Sequence, residues 1–250
     1  MNPARQEGIA RGGEPLLPAV KRAGPDGPTL TRWQQWRDHP EQVWLRNAAF
    51  QIHFWVGAIL GVYILVMSVS GSLLVYRNEL SRHVSVEWLA DLHENLSAGS
   101  TGRLANGIGA ISLLLLCATG ALIWWPGVQH WRRSVTVEWS ARFPRLNWDV
   151  HSALGFWCFG FILIWAVSAV YLVFPKPFDL LLLIDPTDHV TDQGLFWLAQ
   201  LHSGGFSRFA RPIWLVLGLT PAVLAFTGVF ICCRRVMYGK PSNPRSASIG

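Results

Sequence analysis

Four stretches of the chain are long, apolar and almost free of charge: Ala48 to Tyr76, Leu104 to Trp125, Val150 to Phe174 and Pro212 to Cys233. A helix needs about 20 apolar residues to cross the hydrocarbon core of a bilayer. The pattern therefore predicts transmembrane helices over 48–76, 104–125, 150–174 and 212–233. The polar segments between them are of two kinds. The segment after the second run is basic, with Arg132, Arg133, Arg142 and Arg145. Segments 77–103 and 175–211 are richer in acid, with Glu79, Glu87, Asp91, Glu94, Asp185 and Asp192. Residues 1–44 hold six Pro, several Gly and scattered charge without an apolar run. They read as a disordered basic arm, with a short interfacial helix around Trp33, Trp36 and Trp44. They do not read as a secretory signal, which has an apolar stretch near its start. Residues 237–250 read as a tail.

Lys and Arg set orientation in a membrane, because they gather on the cytoplasmic side. Fifteen of the 21 basic residues fall before the first run, between the second and third, or after the fourth. Both termini are therefore expected in the cytoplasm, and 77–103 and 175–211 outside it. In a bacterial cell this is the inner membrane.

The pattern also repeats. His53-x-x-x-Gly57 opens the first run, and His151-x-x-x-Gly155 opens the third. Trp88-Leu-Ala-Asp-Leu-His93 precedes the second run, and Trp197-Leu-Ala-Gln-Leu-His202 precedes the fourth. Thr119-Gly120 and Thr227-Gly228 recur inside the second and fourth runs, each Gly 17 positions after Arg103 or Arg211. Two helix hairpins of one orientation, related by an axis along the membrane normal, would give this pattern. The expected fold is all-α: an integral membrane four-helix bundle over 45–236, built from two parallel helix-hairpin repeats.

Composition supports this picture. The chain is 51% hydrophobic and 14% charged, against about 25% charged in soluble domains. Its 14 Trp suit membrane interfaces. The net charge of +6 follows topology, so no nucleic-acid partner is expected. Cys117, Cys158, Cys232 and Cys233 form no CxxC and lie in or at the end of apolar runs. They read as packing residues, with acylation of the pair beside Arg234 weakly signalled.

The chemistry lies in the histidines. A His in or beside a span is costly, and by default it marks function. The bland alternative is a ring bonded to a neighbouring backbone or a headgroup. It weakens when two pairs recur at matched depth and flanks. His53 and His151 are expected on the cytoplasmic side, His93 and His202 on the outer side. Two facing imidazoles on bundle helices can ligate one haem iron from both sides. Gly57 and Gly155 share a helix face with His53 and His151. They leave room for a flat porphyrin, or for close helix packing, since Gly57 and Gly61 also form GxxxG. About 23 residues separate His53 from Tyr76, or roughly 35 Å of helix, enough for two haems b in separate layers. Arg103 and Arg211 are candidates to pair with haem propionates, though interfacial anchoring explains them equally well. His39, His83, His130 and His189 read as solvated surface residues. His189 also has Asp185, Asp188 and Asp192 near it for contact with a metal substrate. No GxGxxG, P-loop, GxSxG or HExxH occurs. An electron donor would be a quinol or a separate cytoplasmic reductase.

These residues resemble the PepSY-associated transmembrane proteins. The resemblance rests on His53-x-x-x-Gly57 running into the segment Ser68 to Arg77, on Leu92-His93, and on Thr119-Gly120 through Trp124-Trp125-Pro126. His151-x-x-x-Gly155 and Leu201-His202-Ser-Gly204 carry it through the second half, and it covers about 45–236. It implies an iron-regulated inner-membrane protein, with haem b reductases of ferric siderophores among its relatives. It also implies ligand roles for His53, His93, His151 and His202. One departure stands out: longer members carry periplasmic PepSY domains, whereas loops of about 27 and 37 residues are too short for a domain of usual size. The leading expectation is a transmembrane haem oxidoreductase that reduces ferric iron or a ferric siderophore. The alternatives are a non-redox accessory or scaffold subunit of an iron-uptake system, and an electron-transfer subunit for another periplasmic reductase.

Overall fold

The structure, a computed structural model, describes residues 34, 43–125, 131–181 and 189–238. Most of the expected arm, His39, His130, the side chain of His189 with Asp185 and Asp188, and the tail from 239 lie outside the described residues. Among the described residues all regular structure is helical. The apolar runs form α1 (Trp44–Leu74), α4 (Gly99–Trp124), the pair α6 (Phe143–Trp157) and α7 (Phe159–Val173), and the pair α10 (Arg211–Gly218) and α11 (Thr220–Tyr238). Short helices α2 (Arg77–Leu80), α3 (Glu87–Asn95), α5 (Trp131–Val135), α8 (Pro175–Leu181) and α9 (His189–Ser203) connect them. Among the described residues, three helical stretches are long and apolar enough to cross a membrane: 44–74, 99–124 and 211–237. The bent pair α6–α7 makes a fourth if it is one span.

The burial pattern inverts that of a soluble protein. On α1, Ile59 and Val62 are each 75% exposed, while Ser68, Ser70 and Ser72 are buried. Large apolar side chains face outward, where lipid would be. Small residues face inward and let backbones approach. Gly107 of α4 lies under Phe174, and Gly109 lies under the Tyr63 ring. Helix α1 packs against α4 and α11; α4 also packs against α7, and α6 against α11.

Two expected spans differ in detail from their hydropathy. The third is not straight. Helices α6 and α7 meet at Cys158 with a 65° bend. Gly155 and Gly160 flank the bend, and nothing stands within 4 Å of where their Cβ atoms would sit. The backbone there can turn without a side-chain clash. The fourth is interrupted at Leu219. Pro221 follows, and it has no N–H to return to the previous turn. Across this gap the Ser68 hydroxyl of α1 donates to the Gly218 carbonyl at 2.5 Å and accepts from the Ala222 N–H at 3.0 Å. One side chain thus serves both backbone groups that a continuous helix would have joined to each other.

The segments expected as outer loops are helical around His93 and His202, while His83 lies in a turn. Helix α3 docks on α1 and α4, and α9 docks on α7. Asn106 Nδ2 donates to the His93 carbonyl at 2.8 Å. Trp214 Nε1 donates to the Leu201 carbonyl at 2.7 Å. These anchors stand three residues after Arg103 and Arg211 respectively. The turn from α3 into α4 is sharp, with positive φ at Leu96, Ser97 and Gly99. A Cβ on Gly102 there would overlap the Asn95 carbonyl.

Candidate functional site

The four repeat-matched histidines meet in two pairs. His53 of α1 faces His151 of α6 with ring centroids 6.4 Å apart and planes at 84°. His93 of α3 faces His202 of α9 at the same 6.4 Å, with planes at 54°. Each pair draws one ring from each half of the chain. Two imidazoles opposed through one metal, with metal–nitrogen bonds of about 2 Å, would hold their centroids about 6 Å apart. Both pairs fit that spacing.

Each ring is held by a hydroxyl at Nδ1. His53 Nδ1 lies 3.1 Å from Thr119 Oγ1 of α4, and His151 Nδ1 lies 2.8 Å from Thr227 Oγ1 of α11. His93 Nδ1 lies 2.9 Å from Ser70 Oγ of α1, and His202 Nδ1 lies 2.7 Å from Ser168 Oγ of α7. Every one of these hydroxyls also lies 2.7–2.8 Å from the carbonyl four residues before it, at Leu115, Val223, Val66 and Ile164. Glycines seat the rings. A Cβ on Gly120 would stand 3.3 Å from His53 Cε1, and one on Gly228 would stand 3.2 Å from His151 Cε1. Gly71 stands in the same way under His93, at 2.8 Å.

Sequence reasoning named Thr119-Gly120 and Thr227-Gly228 as markers of the repeat, and Thr119-Gly120 also as part of the family resemblance. It did not assign them as the seat of the rings. Ser70 and Ser168 were missed altogether. Their signal was present, since each lies 17 residues after the first histidine of its half.

The other expected site residues are placed as follows. Gly155 has open space beside it, and Gly57 meets only Leu116, at 3.8 Å. Arg103 donates to the Leu172 carbonyl at 2.9 Å, and Arg211 pairs with Glu79 at 2.5 Å. Both bonds stand at exposed ends of helices. His83 is exposed. Among the described residues, no group of three or more His, Cys, Asp or Glu gathers as a metal site. A metal held by one histidine pair would need its remaining ligands from elsewhere, as from a porphyrin.

Electrostatics favour neutral rings at the outer pair. Burial pushes His93 below the ordinary imidazole range. Burial, with His93 close by, pushes His202 down to about 4. A neutral imidazole is the form that ligates a metal.

Residues 81–184 match the family model described as the PepSY-associated TM region. The matched segment includes α3 with His93, α4 with Thr119, α6 with His151 and α7 with Ser168. The chain is also similar to uncharacterized protein PA4219 of Pseudomonas aeruginosa, 31% identical over 88 residues. That match covers 34% of this chain, and the chain spans about a fifth of the relative, 21% of its length. No solved structure matches.

Proposed function

Residues 81–184 match the PepSY-associated transmembrane region, and we propose that the chain is a member of that family and a transmembrane haem oxidoreductase serving ferric iron reduction. The observation that carries this reading is the matched spacing of the two histidine pairs, 6.4 Å in each. In this reading the helices form a four-helix bundle of two parallel hairpins, with one haem b held by His53 and His151 and another by His93 and His202. A bound haem would supply one-electron chemistry between its ferric and ferrous states.

The chain's own residues account for the rest. The histidines ligate and fix the layer. Gly155 leaves open space one turn after His151, and Gly57 lets Leu116 approach one turn after His53. Arg103 and Arg211 stand at equivalent helix starts, within reach of a role as partners of carboxylate groups once freed from their present contacts. Along the continuous helix α1, His53 and Ser70, which holds His93, are 17 residues apart. At about 1.5 Å per residue the two layers are about 25 Å apart, less than the 35 Å read from the apolar run alone.

Orientation follows from charge. With the basic segments inside, the inner pair faces the cytoplasm of a bacterial inner membrane and the outer pair faces the periplasm. Electrons would come from a quinol or a cytoplasmic reductase, and a ferric siderophore or other ferric chelate would accept them. Ferrous iron binds such chelators far more weakly, so reduction would release it.

The test is direct. The protein is expressed with haem in excess, purified in detergent and reconstituted in vesicles. A b-type band in the reduced-minus-oxidised spectrum, bleached on adding a ferric chelate to the outer side, is the expected result. Absence of the band would end the proposal. A band that persists in the presence of chelate would instead favour an electron-transfer subunit with another acceptor.

A further inference from the structure

The four hydroxyls at the histidines carry an inference that rests on the haem reading and deepens it. We propose that Thr119, Thr227, Ser70 and Ser168 are positioning residues that commit each histidine to protonation at Nδ1, so that Nε2 is the nitrogen presented to iron.

The chemistry follows from counting protons. A Ser or Thr hydroxyl has one proton to donate and two lone pairs. Each of the four lies 2.7–2.8 Å from the carbonyl of residue i−4. A carbonyl cannot donate, so a contact this short is favourable only if the hydroxyl proton points into it. That leaves a lone pair toward the ring, at 2.7–3.1 Å. The ring nitrogen facing it must then be the donor. Were the hydroxyl to donate to the ring instead, its oxygen would face the carbonyl oxygen with lone pairs opposed. The helix carbonyl thus sets the hydroxyl, and the hydroxyl sets the ring.

The same chain recurs four times on four different helices. At the inner layer Thr on α4 and α11 holds His on α1 and α6. At the outer layer Ser on α1 and α7 holds His on α3 and α9. The hydroxyl changes type and element, while the relation between ring, hydroxyl and carbonyl stays the same. A packing role for small polar residues does not require that constancy.

An acceptor at Nδ1–H also makes the ligand more basic. A more basic ligand favours ferric over ferrous iron. Each hydroxyl should therefore lower the midpoint potential of its own layer and tighten its haem.

The experiment uses the full chain labelled with 15N-histidine, with Thr227→Val as the isosteric loss and Thr227→Ser as the rescue. Ring 15N shifts of the haem-free protein read the tautomer without any cofactor. Nδ1-protonated His53, His93, His151 and His202 are expected in the unsubstituted chain, with mixed tautomers at His151 alone in Thr227→Val. In the haem-loaded protein, Thr227→Val should weaken haem retention at the inner layer 10- to 100-fold. It should also raise that layer's potential, a tenfold loss of ferric preference being about 59 mV for one electron. Thr227→Ser should restore both properties, and the outer layer should not move.

Nε2-protonated rings in the unsubstituted chain would overturn the inference. So would a Thr227→Ser protein as defective as Thr227→Val. A chain that takes up no haem would refute the proposed function instead, and the ring shifts would still decide the tautomer. If Thr227→Val fails to fold, the unsubstituted spectrum decides alone.

Discussion

At the scale of single residues, the site is made of imidazoles with very little room to move. Gly120 and Gly228 leave the inner rings only the space that a Cβ would take, and hydroxyls hold the rings from the side. The outer pair is also electrically simple. Burial pushes His202 down to about 4 and shifts His93 in the same direction. The unfolded chain takes up protons near pH 6.5, before the folded chain does. Stability from these rings is therefore fully present above about pH 6.5 and is lost as pH falls toward about 4. Thermal unfolding of the haem-free protein in detergent should show falling stability over that window. Replacing His202 with Gln should flatten the dependence, and a protein more stable at pH 5 than at pH 7 would contradict it. Gly155 makes a second residue-scale test. Space beside it is open, as it is beside Gly160. Gly155→Leu should therefore fold as well as Gly160→Leu but load less haem at the inner layer. Equal loading of both would remove Gly155 from the site. The histidines were legible in the sequence because each came with flanking residues that repeat. Their hydroxyl partners were not, because a Ser or Thr in a membrane helix also reads as a packing residue and its bond to the ring crosses between elements.

At the scale of elements, hydropathy located all four apolar runs, yet it could not reveal how two of them break. Average apolarity is blind to backbone bonding. The bend at Cys158 needed Gly155 and Gly160 to be read as a pair, and the gap at Leu219 needed Pro221 to be matched with a hydroxyl from α1. Sequence also treated 77–103 and 175–211 as loops. His93 and His202 in fact sit on α3 and α9, which are anchored by Asn106 and Trp214. The gap at Leu219 has a defined support. Ser68→Ala removes both bonds of that hydroxyl and leaves the Gly218 carbonyl and Ala222 N–H in an apolar setting. A loss of about 1–3 kcal/mol is expected, read by unfolding in detergent. Ser68→Thr, which keeps the hydroxyl, should recover most of it. No loss in Ser68→Ala would mean that the two backbone groups close on each other and the helix reseals.

At the scale of the whole molecule, each half of the chain supplies one ring to each pair, so neither half completes a site alone. This gives a physical reason for the repeat to retain histidine at both depths. It also makes the two layers separable by substitution. The most direct test is haem content per chain, measured by pyridine haemochrome on purified protein. The unsubstituted chain should hold two haems b. His53→Ala with His151→Ala should hold one, and His93→Ala with His202→Ala should hold one, with distinct potentials for the two survivors. A chain with no haem after haem-replete expression, or one whose haem content is unchanged by either double substitution, would contradict the pairing of histidines as haem ligands.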